Sequence, residues 1–185
     1  EQLTLAKRFI PDLLVPQMAD KNALTQILFE GVFDIETNGI SKIQTTLSID
    51  GQSIDIDMDI NQPQNKLNTV VSGKRLNLDA YKTKASANAN NSMLFAPLAI
   101  PMAVWHGQSQ LELNLMAVEI GGSTLTNLYA NLFGNQNIFR LTSLYGDIYN
   151  GFINATASLN LQQMTPSFSV STSIRNIDLA AVSDA

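Results

Sequence analysis

From residue 32 onward, apolar and polar positions alternate along most of the chain. The run IDIDMDI does so without a fault: Ile54, Ile56, Met58 and Ile60 stand against Asp55, Asp57 and Asp59. Just before it, Ile43, Thr45, Leu47 and Ile49 alternate with Gln44, Thr46, Ser48 and Asp50. Further on, Leu111, Leu113 and Leu115 alternate with Glu112 and Asn114, and Phe168, Val170, Thr172 and Ile174 close the series after Pro166. A period of two is that of an extended strand with one apolar and one polar face. Asp50-Gly51, between the first two runs, is a tight hairpin signal, because both residue types tolerate positive φ.

The longest alternating stretch covers residues 138–161 and predicts a hairpin turning at Tyr145-Gly146-Asp147, with Gly146 at positive φ. Its second arm places Tyr149, Gly151, Ile153, Ala155, Ala157, Leu159 and Leu161 on one parity, and mostly polar residues on the other, Phe152 excepted. Other turns are expected at the Pro-containing segment 61–66, at Ile120-Gly121-Gly122-Ser123 and at Gly134-Asn135. Residues 67–72 and 76–81 read as one strand broken by Gly73, and a slip in parity near Asn127 reads as a bulge.

Two stretches read as helical. In residues 1–30, Leu3, Leu5, Ala6, Phe9 and Ile10 form a stripe that stops before Pro11, and Asp20 is a plausible N-cap. Ala23, Leu24, Ile27 and Leu28 then follow at helical spacing up to Phe29, with Gly31 as the boundary. A competing reading makes residues 27–36 a strand. Residues 93–106, with Pro97 and Pro101, predict a short or kinked helix after a polar loop at 82–92. The expected fold is mostly β: a curved antiparallel meander or open half-barrel with a few short helices, a two-sheet β-sandwich being the alternative. We expect one domain over residues 1–185, with a helical cover at 1–30, strands at 32–81, a short helix at 93–106 and strands again at 108–185.

Composition narrows the function. The chain is 45% hydrophobic and only 15% charged, so it folds, and Ser, Thr, Asn and Gln fill the wet side of the strands. A net charge of −5 with scattered basic residues argues against nucleic acid. There is no cysteine, hence neither a disulfide nor a thiolate metal site. No segment offers the roughly 18 uncharged apolar residues that span a bilayer. The chain begins at Glu1 without a signal-peptide pattern, and so reads as a segment of a longer protein.

Candidate chemistry is sparse. Asp55, Asp57 and Asp59 share a strand face and suggest calcium, but same-face neighbours lie about 6.5–7 Å apart, too far to share one ion easily. A solvated acidic face is the better reading. His106, the one histidine, stands beside Trp105 with no nucleophile elbow, zinc-binding HExxH motif or Gly-rich phosphate loop anywhere in the chain, so neither an enzyme nor a cofactor is expected.

The apolar strand faces remain, and they admit two readings. They form an ordinary closed core, or part of the sheet opens into a trough whose lining faces another apolar molecule. From the residues alone the closed core is the simpler. Three spaced segments shift that balance. The strings SGKRLNLDAYK (72–82), APLAIPMAVWHGQSQLELNL (96–115) and LTSLYGDIYNGFINATASLNL (141–161), the last continued by TPSFSVSTSIRNIDLAAVSDA (165–185), resemble in order and spacing the C-terminal region of the bacterial AsmA family. That resemblance implies a non-enzymatic, periplasmic segment of an inner-membrane-anchored protein of Gram-negative bacteria, serving outer-membrane biogenesis by conducting phospholipid along an apolar groove. The groove candidates are Leu111, Leu113, Leu115, Ile153, Leu159, Phe168 and Val170. The alternative is an assembly module that binds outer-membrane or other envelope proteins through open sheet edges.

Overall fold

Alternation carries the chain into one open sheet of ten strands. The computed structural model describes residues 25–81, 107–162, 165–178 and 180. Its strands are β1 (Ile27–Ile35), β2 (Ile40–Ile49), β3 (Gln52–Asn61), β4 (Lys66–Gly73), β5 (Leu76–Asn77), β6 (Gln108–Ile120), β7 (Ser123–Asn135), β8 (Ile138–Ile148), β9 (Gly151–Asn160) and β10 (Ser167–Arg175). They lie in the order β1-β2-β3-β4-β6-β7-β8-β9-β10, with β5 also against β6. The sheet does not close into a barrel. Among the described residues it is one sheet, not the two of a sandwich. The expected helices at 3–10 and 93–106 fall outside the described residues, and what those residues hold is one 3-10 turn, Asp79–Tyr81.

Every pairing is antiparallel except where β4 and β5 run parallel to β6. This junction departs from a pure meander for a topological reason. Parallel neighbours need a crossover, because β6 starts beside the start of β4, with Gln108 opposite Lys66. After β4 the chain stays in the sheet as β5, beside β6. Leu76 and Leu78 cluster with Leu115 and Val118, and the Asp79 carboxylate accepts from the amides of Gly121 (2.7 Å) and Gly122 (2.8 Å), fastening the segment to the β6–β7 turn. The Tyr81 hydroxyl accepts from Gln52 Nε2 at 2.8 Å, and burial, with Asp50 nearby, raises its pKa above the ordinary tyrosine range.

Four hairpins turn on two residues that both have positive φ: Asp50-Gly51, Gly121-Gly122, Gln136-Asn137 and Tyr149-Asn150. That is the signature of the turn whose twist matches the flanking strands. The β2–β3 and β6–β7 turns stand where the sequence puts them. The other two correct it: the β7–β8 turn is Gln136-Asn137 rather than Gly134-Asn135, and the β8–β9 turn is Tyr149-Asn150 rather than Tyr145-Gly146-Asp147. Gly146 lies inside β8, paired with Ile153. The bulge expected near Asn127 is present, with Asn127 at φ 51° and a register shift between Thr126 and Tyr129. A third correction concerns residues 27–29, which belong to β1, as the competing strand reading has it, and not to a helix ending at Phe29.

Candidate functional site

Residues paired across a sheet project from the same face, so the register alone shows which side chains share a surface. One row runs Phe33, Ile43, Met58, Thr69, Leu111, Leu132, Leu141, Ala157 and Val170, crossing from β1 to β10. Another runs Phe29, Leu47, Ile54, Gly73, Leu115, Leu128, Gly146, Ile153 and Ile174. A third joins Ile56, Val71, Leu113, Ala130, Leu144 and Ala155. All seven residues singled out from the sequence lie on this face: Leu111, Leu113 and Leu115 on β6, Ile153 and Leu159 on β9, Phe168 and Val170 on β10. The sheet is therefore apolar on one side from edge to edge. Thr45, Thr69, Ser109 and Thr172 interrupt it; Thr45 Oγ1 donates to the Glu30 carbonyl at 2.8 Å and Ser109 Oγ to the Gly134 carbonyl at 3.4 Å.

The face is not uniform. Its middle is a core. Val71 and Leu111 form one buried cluster, with Ile54, Ile56, Leu113, Leu132 and Phe139 against it. Leu76, Leu115 and Val118 form a second, and Leu115 is only 4% exposed. Leu113 packs against both. Toward the edges the same face opens. On β1, Ile27, Phe29, Phe33 and Ile35 are exposed, with the Phe29 and Phe33 rings 6.2 Å apart. On β9 and β10, Leu159 and Ile174 are exposed, Val170 is 64% exposed and Phe168 is 80% exposed. The sequence-derived set thus divides: Leu111 and Leu115 are core, Leu113 and Ile153 are half-buried, and Leu159, Phe168 and Val170 are open wall. The β1 wall is hidden in the sequence because the apolar residues up to Phe29 also fit helical spacing.

The opposite face is polar and knit by short side chains. Thr46 donates to Asp55 at 2.7 Å and Gln44 to Asp57 at 3.0 Å, while Asp59 stands opposite Lys42 in register. Each of the three carboxylates thus has its own neighbour across the strand. Millimolar Ca²⁺ should therefore leave the melting temperature unchanged, since an ion held by the native state alone would raise it by mass action. A clear rise in a thermal melt would restore the metal reading. His106 falls outside the described residues. No helix among the described residues is long and apolar enough to cross a membrane.

The model of the AsmA family matches residues 9–182, nearly the whole chain. The chain belongs to the AsmA family, which ties it to the bacterial envelope and is not known as a family of enzymes. No curated protein and no solved structure matches it.

Proposed function

We propose that this chain is a non-enzymatic, periplasmic segment of an envelope protein that shelters phospholipid on the apolar face of its sheet. In this reading the intact protein is tethered to the inner membrane and serves outer-membrane biogenesis. One observation carries the proposal: a single face that is apolar across nine strands and, at β1 and at β9–β10, leaves eight large apolar side chains exposed. A soluble protein rarely leaves such a surface uncovered without a partner for it. Its dimensions suit acyl chains. A strand of nine or ten residues runs about 30 Å, against about 15 Å for the hydrocarbon of one lipid leaflet. Polar headgroups would then lie at the open edge of the sheet, in water.

Native mass spectrometry of the purified chain tests this directly. Species heavier than the bare chain by phospholipid masses are expected, and Val170→Asp should remove them. A parent protein that carries no lipid, and takes none from vesicles of phosphatidylethanolamine and phosphatidylglycerol, would overturn the proposal.

Among the described residues β10 is an edge strand, and this edge favours a second reading. Its nine residues contain no Pro or Lys, the usual guards of an edge strand, and nearly all are exposed. An added strand from an envelope protein would continue the sheet there through backbone hydrogen bonds. A clean apo mass together with tight binding of an outer-membrane strand peptide would favour it.

A further inference from the structure

We propose that the polar face carries a separate site, a cleft for a neutral saccharide, whose wall is the Tyr129–Tyr145 pair. On that face the register sets Asp55, Ser72, Asn114, Tyr129 and Tyr145 side by side on five adjacent strands. Two large rings therefore rise at one end of a row whose neighbours, Asn114 and Ser72, are short. The rings stack on each other, 5.0 Å between centroids and 21° apart in plane, so Tyr145 braces Tyr129 from behind. The depression beside them has a volume of about 1030 Å³ and is bounded at one end by Met116 and Asn127, where the β7 bulge breaks the alternation. Bulges re-aim side chains in this way next to sites.

The chemistry of the lining selects the ligand. Among the described residues, Asp50, Asp55, Lys74 and Arg75 border the cleft, two charges of each sign. Three of the four are engaged within the protein. Asp50 accepts from the Thr25 and Gln26 amides, Asp55 accepts from Thr46, and Arg75 pairs with Glu119. The other polar groups are hydroxyls and amides, and they stand beside apolar surface from Leu115, Met116 and Leu128. Asn114 spends its Nδ2 on Glu112 at 2.8 Å, which leaves Oδ1 as an acceptor. A pyranose matches this set on both counts. Its hydroxyls donate and accept, as a mixed lining requires, and its C–H face carries the slight positive charge that the negative face of an aromatic ring attracts. The depression is open to solvent, and its volume is just above the usual range for ligand pockets. A cross-strand tyrosine pair also stabilises a sheet by itself, so the test must separate binding from folding.

The probes are chitotriose and maltotriose, each added to the 185-residue chain and followed by saturation-transfer NMR and calorimetry. At least one is expected to receive saturation at its ring C–H protons, with a Kd tighter than about 10 mM. Tyr129→Ala should weaken that binding by about fivefold or more, and Tyr129→Phe, which keeps the ring, by no more than about twofold. Ser72→Leu fills the floor without removing any packing, and should block binding in a protein that melts normally. Val170→Asp, on the other face, should leave saccharide binding intact even if lipid is lost, so this inference and the lipid proposal fail separately. Three outcomes overturn it: no transfer to either saccharide, binding indifferent to Ser72→Leu, or displacement of the saccharide by an equal concentration of inorganic phosphate, which would mark an anion site.

Discussion

Leu115→Asp is expected to abolish the cooperative thermal transition, while Val170→Asp, on the same face of the same sheet, melts within a few degrees of the parent. The difference is burial. Leu115 sits among Leu76, Val118, Leu113 and Leu128, and an aspartate there must lose its water among apolar side chains. Such a burial costs several kcal/mol, out of the 5–15 kcal/mol that stabilises a typical domain. Val170 is 64% exposed and lies between Ala157 and the open edge, so an aspartate stays hydrated. A substitution of that kind changes stability by about 0.5 kcal/mol at most. Circular-dichroism melts read the stability and lipid extraction reads the function. If both variants collapse, the β9–β10 wall is closed core. If both fold, the central clusters are not core. Leu113→Asp should follow Leu115→Asp, because Leu113 joins the two clusters.

This division of one face into core and wall was not legible in the sequence. Each strand announces its own parity, and for that reason all seven chosen residues fall on one surface. Whether Leu111 and Leu159 are equally covered depends on strand order, and strand order turns on the parallel β4–β6 junction. That junction is a non-local event, set by the crossover rather than by any alternation within β4 or β6. The cleft on the polar face is hidden for the same reason. Ser72, Asn114 and Tyr129 are neighbours only through the register, and no local spacing brings them together.

β1 shows a different limit. In ILFEGVFDI the first apolar residues fit a helix or a strand, and Gly31 looks like a boundary. In the structure Gly31 is mid-strand, facing Thr45, and a Cβ there would stand 2.8 Å from the Gln44 carbonyl oxygen. The glycine marks close approach between two strands, not an end. The two misplaced turns share this cause. Gly134 and Gly146 signal turn centres in the sequence, yet both lie within strands, and the positive φ is carried by Gln136, Asn137, Tyr149 and Asn150. An uninterrupted parity from Leu144 through Gly146 to Ile148 was the available signal that β8 continues.

The β8–β9 turn therefore yields the second large effect, a contrast between two glycines five residues apart. Gly151→Ala should lower stability by about 1–3 kcal/mol, as forced overpacking does, whereas Gly146→Ala should change it by no more than about 0.5 kcal/mol. After β10 the chain bends at Asn176, φ 56°, and passes over the turn, where the Asp178 amide donates to the Tyr149 carbonyl at 2.9 Å. A Cβ on Gly151 would lie 2.3 Å from the Arg175 carbonyl oxygen and 2.7 Å from the Asn176 backbone. Backbone atoms cannot swing aside as a flexible side-chain tip can, so β10 must shift away from β9 at the end where Arg175 meets Phe152. At Gly146 the nearest atom is the Thr126 carbonyl oxygen at 3.4 Å, and the backbone is not left-handed, so a methyl group is accommodated. The contrast appears as a drop in the urea midpoint for Gly151→Ala alone, at unchanged slope. Because β10 carries the exposed Phe168 and Val170, the same variant should also lose bound lipid under conditions where it remains folded. A midpoint that falls for Gly146→Ala and not for Gly151→Ala would move the turn back to Tyr145-Gly146-Asp147, and with it the register that places Ile153 and Leu159 on the apolar face.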